Sequence, residues 1–154
     1  MVADGGASVD ALASRASRGS RDRVHLVVPP SSEFLRTVRL VAADAALRAG
    51  CDVDEVEDFR IAIDELCHLL MTSTDHFVHV SITSFDGHVA GHGSARARGG
   101  TTQCALEEVS ALIVEATADH HELRRHGGEV AFDVVKRARH AGQPAPNRPL
   151  ASQQ

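Results

Sequence analysis

The chain has 154 residues, of which 43% are hydrophobic, and a formal net charge of −5 at pH 7. This length and apolar content suit one domain with a single core. The negative charge argues against nucleic-acid or membrane-surface binding, because such partners usually require a basic surface. The longest apolar runs are far shorter than the roughly 20 residues of a membrane span. The first 22 residues also lack the apolar core of a secretory signal, so we expect a cytoplasmic protein.

The two ends of the chain lack the periodic apolar pattern of folded structure. Residues 1–20 are rich in Ala, Ser, Gly and Arg, and residues 140–154 are rich in Pro, Ala and polar residues. Both compositions are typical of disordered tails, so the predicted domain covers 21–139. The chain has an odd number of cysteines, without any CxxC arrangement, which predicts reduced thiols in the cytosol. They are Cys51, Cys67 and Cys104.

The first half of the domain predicts one strand and two helices. Residues 24–28 form a β-rich run that ends at two prolines. Apolar residues then recur at helical spacing over 32–49, and a glycine supplies a left-handed stop. A second helix over 53–72 begins at a capping box of Asp52 and Glu55. This helix is apolar around most of its circumference, which predicts burial on more than one side.

The second half predicts two hairpins separated by a third helix. Residues 77–84 alternate apolar and polar side chains, an Asp-Gly turn follows, and the chain returns over 88–98. The third helix covers 102–118, and residues 121–137 form the second hairpin around a Gly-Gly turn. The third helix carries an apolar stripe that we expect to face the core: Leu106, Val109, Leu112, Ile113 and Ala116. The alternating residues of the last strand face the core too: Val130, Phe132 and Val134.

The element order βααββαββ predicts an α/β (α+β) two-layer sandwich. About five strands form an antiparallel or mixed sheet, and the three helices cover one of its faces.

This order, with EVEDFRIAIDELCHLLM at 55–71 after an arginine-bearing first helix, resembles the RsbW-type anti-sigma factors of the GHKL superfamily of ATPases and kinases. The resemblance spans about 22–138. It implies a histidine kinase-like ATPase domain with a Bergerat-like fold. It also implies a cytoplasmic homodimer that binds a sigma factor and is released by a STAS-type anti-anti-sigma factor.

The residues that the family uses for ATP chemistry are only partly present. In active members the second helix carries a glutamate base and, four residues later, an asparagine that holds magnesium. Glu65 matches the base, but Leu69 occupies the asparagine position. The family's DxGxG aspartate, which binds adenine, also has no counterpart, because 87–118 contains no aspartate. The connection to the third helix is too short for a glycine-rich lid. The resemblance therefore implies a degenerate member in which ATP and magnesium bind weakly.

Two further residues are candidates for partner binding. Arg36 and Arg39 lie three apart on the predicted outer face of the first helix, where relatives engage sigma factors. A solvated charged face is the alternative. We expect Asp64 to pair with Arg60, four residues earlier on the same helix.

Two other functions remain open besides the binding regulator. One is an active ATP-dependent serine kinase that phosphorylates the antagonist with Glu65 as base. The other is a histidine-rich metal-binding protein, since the chain has 10 histidines. Candidate ligand sets are His76 with His79, His88 with His92, and His120, His121 and His126. Successive strand residues point to opposite faces and no cysteine lies at zinc-ligand spacing, so these sets are weak.

The glycine-rich stretch GHGSARARGG at 91–100 does not fit the GxGxxG phosphate motif, and it follows a hairpin turn. A close approach of the third helix is an alternative explanation of its glycines.

Overall fold

The computed structural model describes residues 22–85, 87–99 and 105–140. Cys104 and the aspartate of the first hairpin turn lie outside these residues. So do the two predicted tails, except for His140, the first residue of the C-terminal tail.

Five strands form one sheet: β1 Arg23–Val28, β2 Val78–Phe85, β3 His88–Arg96, β4 His120–His126 and β5 Glu129–Arg137. Their order across the sheet is β1-β2-β3-β5-β4. Every adjacent pair is antiparallel, so the antiparallel alternative of the prediction is the correct one. Both predicted hairpins are confirmed.

Three α-helices lie on one face of this sheet: α1 Leu35–Arg48, α2 Val53–Ser73 and α3 Glu108–Thr117. A single 3-10 turn, Ser32–Phe34, leads into α1. The central helix is α2, which packs on β3 and β5 and is flanked by α1 and α3. The structure confirms the two-layer α+β architecture.

Local signals in the sequence fix the junction between α1 and α2. Gly50 has a φ of 87°, a left-handed conformation that an L side chain rarely adopts, and it ends α1 as predicted. The capping box at the start of α2 is complete. The Glu55 backbone N–H donates to the Asp52 carboxylate at 2.8 Å, and the Asp52 N–H donates to Glu55 at 2.9 Å. Both bonds satisfy donors that a helix start leaves unpaired.

The core lies between α2 and the sheet. Phe59, Ile63, Leu66 and Leu70 form one fully buried stripe of α2, and buried Ala62 and Cys67 extend it on its two sides, so the helix is buried on more than one side as predicted. From the sheet, β5 contributes Val130, Phe132 and Val134. The last strand therefore faces the core in the predicted register.

The third helix differs from its prediction. It begins at Glu108, whereas residues 105–107 are not helical and 102–104 lie outside the described chain. Three residues of its expected core stripe are exposed, namely Val109 at 67%, Leu112 at 65% and Ala116, while Val114 is buried instead. Periodicity identified an apolar helix but not the face that packs, because most positions of this helix are apolar.

A buried lysine joins the last strand to the helical layer. Lys136 is 2% exposed. Its Nζ donates to Asp58 of α2 at 2.8 Å and to the Thr117 carbonyl at 3.0 Å. These bonds satisfy the buried ammonium and tie β5 to α2 and α3.

Candidate functional site

A cleft of about 700 Å³ opens on the helical layer of the molecule. Its walls come from α1, the second half of α2, the segment after β3 and the start of α3. Leu35, Leu69 and Leu106 supply apolar surface. The long second helix therefore places the acidic pair of the sequence, Asp64 and Glu65, at a concave surface.

Glu65 and Leu69 both line this cleft. They lie on one face of α2 because residues four apart are neighbours on a helix. The side chain of Leu69 has no atom that could coordinate a cation, so the position that the resemblance assigns to the magnesium ligand is apolar. Asp64 also lines the cleft beside Glu65, but its carboxylate is engaged elsewhere.

Asp64 forms a two-point ion pair with Arg39 of α1. The Arg39 Nε lies 2.7 Å from Asp64 Oδ1, and its Nη2 lies 3.2 Å from Oδ2. This hydrogen bonding raises the pKa of the Arg39 guanidinium above its ordinary value. The predicted pairing of Asp64 with Arg60 is therefore wrong, because Arg60 instead contacts Glu57 at 2.7 Å. The spacing rule considers only neighbours on one helix, so it could not identify a partner on α1, 25 residues away in sequence.

A second two-point ion pair lies at the other end of the cleft. Arg98, which follows β3, donates from Nε and Nη2 to the carboxylate of Asp75 at 2.9 and 2.7 Å. The hydrogen bond from Arg98 lowers the pKa of the Asp75 carboxyl. Close by, the Arg98 backbone N–H donates to the Ser73 carbonyl, and the Thr74 hydroxyl donates to the Arg96 carbonyl. The end of α2 is thus joined to the end of β3.

Several cleft residues were not identified from the sequence. The cleft is also lined by Arg98, His68 and Glu107. Arg98 belongs to the glycine-rich stretch at 91–100. The spacing of His68, three residues after Glu65, was the one available signal, since it places both on the same side of α2.

Two glycines of this stretch are explained by packing. A Cβ atom built on Gly91 would lie 2.9 Å from Cδ1 of Ile63, and one built on Gly93 would overlap the edge of the Phe132 ring. The close approach comes from α2 and β5 and not from the third helix, which corrects the expectation. Small residues here let α2 and a phenylalanine of the neighbouring strand sit against the sheet.

Arg36 differs from Arg39 in its surroundings. Arg36 is exposed on α1, and among the described residues it has no hydrogen-bond or ion-pair partner. Exposed Leu40 and Leu47 follow on the same helix, at 66% and 60% exposure. The spacing from Arg36 to these leucines is helical, so the three side chains share one outer face. The two arginines are thus not equivalent, because only Arg36 is unoccupied.

The histidine sets do not converge on a metal site in the described chain. No three His, Cys, Asp or Glu side chains there are placed to hold one ion. His79 lies beside His25 of β1, with ring centroids 5.8 Å apart. His92 instead contacts Asp133 of β5 through Nδ1 at 2.9 Å, and Arg124 pairs with the same carboxylate. These contacts lie on the sheet face opposite the helices.

Cys51 and Cys67 are free and buried. Burial, with smaller contributions from nearby acidic groups, raises the pKa of Cys51 to about 11. Burial also raises the pKa of the Cys67 thiol. Both side chains therefore stay as thiols near neutral pH.

Comparison with known proteins gives partial sequence matches and structural matches. No family model matches the chain. Serine-protein kinase RsbW of Halalkalibacterium halodurans is 39% identical over 46 residues, which are 30% of this chain and 28% of that protein. RsbW of Bacillus subtilis is 34% identical over 50 residues, 32% of this chain and 31% of the relative. The matched region thus spans under a third of the length of these curated relatives.

One structural match is a crystal structure of the RsbU and RsbW domains of a Mycobacterium tuberculosis protein. It covers 75% of this chain and 32% of that chain, with a TM-score of 0.59 and 19% sequence identity. At this identity the match establishes the fold. Together with the sequence matches, it confirms the resemblance to RsbW-type proteins. Within the described residues, no helix is both long and apolar enough to span a membrane.

Proposed function

We propose that this chain is an anti-sigma-factor-like regulator of the cytoplasm in which ATP chemistry is weak or lost. Its protein partners are a sigma factor, a STAS-type anti-anti-sigma factor, or both. The similarity to RsbW proteins supports the partner class. The observation that carries the loss of chemistry is Leu69, a hydrocarbon side chain in the cleft one helical turn after Glu65.

The described residues do not fit a magnesium–triphosphate complex. The metal prefers oxygen ligands in near-octahedral geometry, and Leu69 offers none. Asp64 is the nearest alternative carboxylate along the helix, but it is held by Arg39 at 2.7 Å. Phosphoryl transfer depends on a positioned metal, so no catalytic step is assigned to the cleft.

The expected loss of nucleotide affinity is large. An unmade buried hydrogen bond costs about 1 to 3 kcal/mol, so a missing adenine-binding carboxylate and a missing metal ligand together cost roughly 2 to 6 kcal/mol. A micromolar site, near about −8 kcal/mol, would become roughly millimolar or weaker.

Titration with a fluorescent ATP analogue, with and without magnesium, tests this part of the proposal. We expect binding no tighter than about 1 mM and no dependence on the metal. Leu69→Asn, which supplies a carboxamide one turn after Glu65, should introduce metal dependence, whereas Leu69→Ala is the matched control and should not. Tight, magnesium-dependent binding by the unaltered protein would contradict the proposal.

For partner binding we propose the outer face of α1. Within the described chain the Arg36 guanidinium has no partner, and it shares a helix face with exposed Leu40 and Leu47, so this face offers both charge and apolar area. Arg39 contributes less directly, because a partner would first have to displace Asp64. A homodimer is part of the proposal, as the resemblance implies, and light scattering of the purified chain measures it.

Affinity capture from a bacterial lysate, with identification by mass spectrometry, tests the partner class. The tagged protein should retain a sigma factor or a STAS protein, and Arg36→Ala should reduce the recovered amount at least fivefold. Arg137→Ala removes the same charge at an exposed position, the last residue of β5, and should leave recovery unchanged. Recovery of neither partner class refutes the regulator proposal.

The second candidate is an active serine kinase with Glu65 as the base. It is favoured by the position of Glu65 in a cleft of about 700 Å³ and by the relatives that are named serine-protein kinases. Transfer of labelled phosphate from ATP to a recovered STAS protein, abolished by Glu65→Gln, would support this function over the first.

A further inference from the structure

The charges of the cleft do not match an anionic ligand. Both arginines that line it are neutralised by aspartates: Arg39 by Asp64 and Arg98 by Asp75. Glu65 also lines the cleft and is half-buried, yet it has no hydrogen-bond or ion-pair partner in the described chain. The cleft therefore has surplus negative charge.

Glu107 adds to this surplus from a second segment of the lining. It lies at the start of α3, is exposed, and like Glu65 has no partner among the residues that the structure describes. Glu65 belongs to α2 and Glu107 to the segment that precedes α3, so two separate parts of the lining carry the negative charge. A triphosphate would bring further negative charge to these groups, whereas a cation would be attracted.

The apolar part of the lining restricts the kind of cation. Leu35, Leu69 and Leu106 supply hydrocarbon surface in the same lining. A small hydrated ion would leave this surface uncovered. An arginine side chain combines an apolar stem with a planar guanidinium that donates hydrogen bonds in two directions, so it suits both parts of the lining.

We propose that the cleft receives an arginine side chain presented by a protein partner, with Glu65 and Glu107 as its acceptors. The ion pairs of Arg39 and Arg98 hold the cleft's own cations away from these acceptors. This inference goes beyond the proposed function, because it concerns the charge of the group that enters the cleft and not the identity of the protein on α1.

Fluorescence polarisation with a pair of labelled peptides tests the inference on the full chain. The probe is a pentapeptide with one arginine between two leucines, and its counterpart carries citrulline, which has the same shape without the charge. We expect the arginine peptide to bind at least tenfold more tightly than the citrulline peptide. Glu65→Gln and Glu107→Gln should each weaken its binding about tenfold, the effect of one charge-assisted hydrogen bond.

The matched control is Glu115→Gln. Glu115 is exposed on α3 outside the cleft, so this variant changes the net charge by the same amount without altering the lining. It should leave binding unchanged, and circular dichroism should show equal folding of all three variants. Equal binding of both peptides, equal loss in Glu115→Gln, or no binding of the arginine peptide at millimolar concentration overturns the inference.

The nucleotide titration distinguishes failure of the cleft inference from failure of the proposed function. A protein that binds neither the arginine peptide nor magnesium-ATP refutes the cleft inference alone. Tight magnesium-ATP binding that the arginine peptide does not displace refutes both.

Discussion

Replacement of Gly93 by alanine tests whether the glycines of β3 serve packing. An added Cβ would overlap the edge of the Phe132 ring, and this phenylalanine is fully buried. Overpacking of this kind costs about 3 kcal/mol, and the lower entropy of an unfolded chain with alanine offsets up to about 1 kcal/mol. The expected net loss is about 2 kcal/mol, or a fall in Tm of about 8 °C.

Urea denaturation measures the loss, and two further variants define its cause. Gly99 belongs to the same glycine-rich stretch, but an added Cβ there meets nothing within 4 Å, so Gly99→Ala should change stability by less than about 0.5 kcal/mol. Phe132→Leu removes the ring, and combining it with Gly93→Ala should cost at least about 1 kcal/mol less than the sum of the single changes. Additive effects, or equal stability of both alanine variants, would refute the packing explanation.

Two other predictions concern buried charges, and urea denaturation measures both. Lys136→Met breaks a buried ion pair and leaves Asp58 unpaired, and since Asp58 is partly exposed, the expected loss is about 1 to 3 kcal/mol. For Asp133, burial acts to raise the pKa, but His92 and Arg124 outweigh it and lower the folded-state pKa. The carboxylate therefore stabilises the fold at neutral pH. This stability is lost as pH falls through the ordinary pKa of the unfolded chain and then through the lower pKa of the folded state. Asp133→Asn should flatten this fall in stability below about pH 5, and an unchanged profile contradicts the assignment.

The sequence predicted most of the fold because its local signals agree with one another. The capping box at Asp52, the left-handed Gly50 and the two hairpin turns set the element boundaries, and all lie in short stretches of chain. The face of α3 could not be predicted in the same way. Val109 and Leu112 are as apolar as Val114, so only the packing of α3 on α2 decides which of them is buried.

The candidate site was predictable only in part. Glu65 and Leu69 follow from a spacing of four residues on one helix, and the resemblance supplies their meaning. The pairing of Asp64 with Arg39 joins two helices, and that of Asp75 with Arg98 spans 23 residues. Neither pair leaves a periodic signal in the sequence, because nothing local constrains where a distant cation will lie.

By itself, the sequence determined the order of strands and helices, the buried side of α2 and the absence of a metal ligand at Leu69, since backbone periodicity and residue chemistry are local properties. Only the tertiary structure decided which carboxylates of the cleft pair with an arginine and which have no partner in the described chain. Ion pairs depend on distances of a few ångströms between segments far apart in the chain, and such distances exist only after the helices have packed on the sheet.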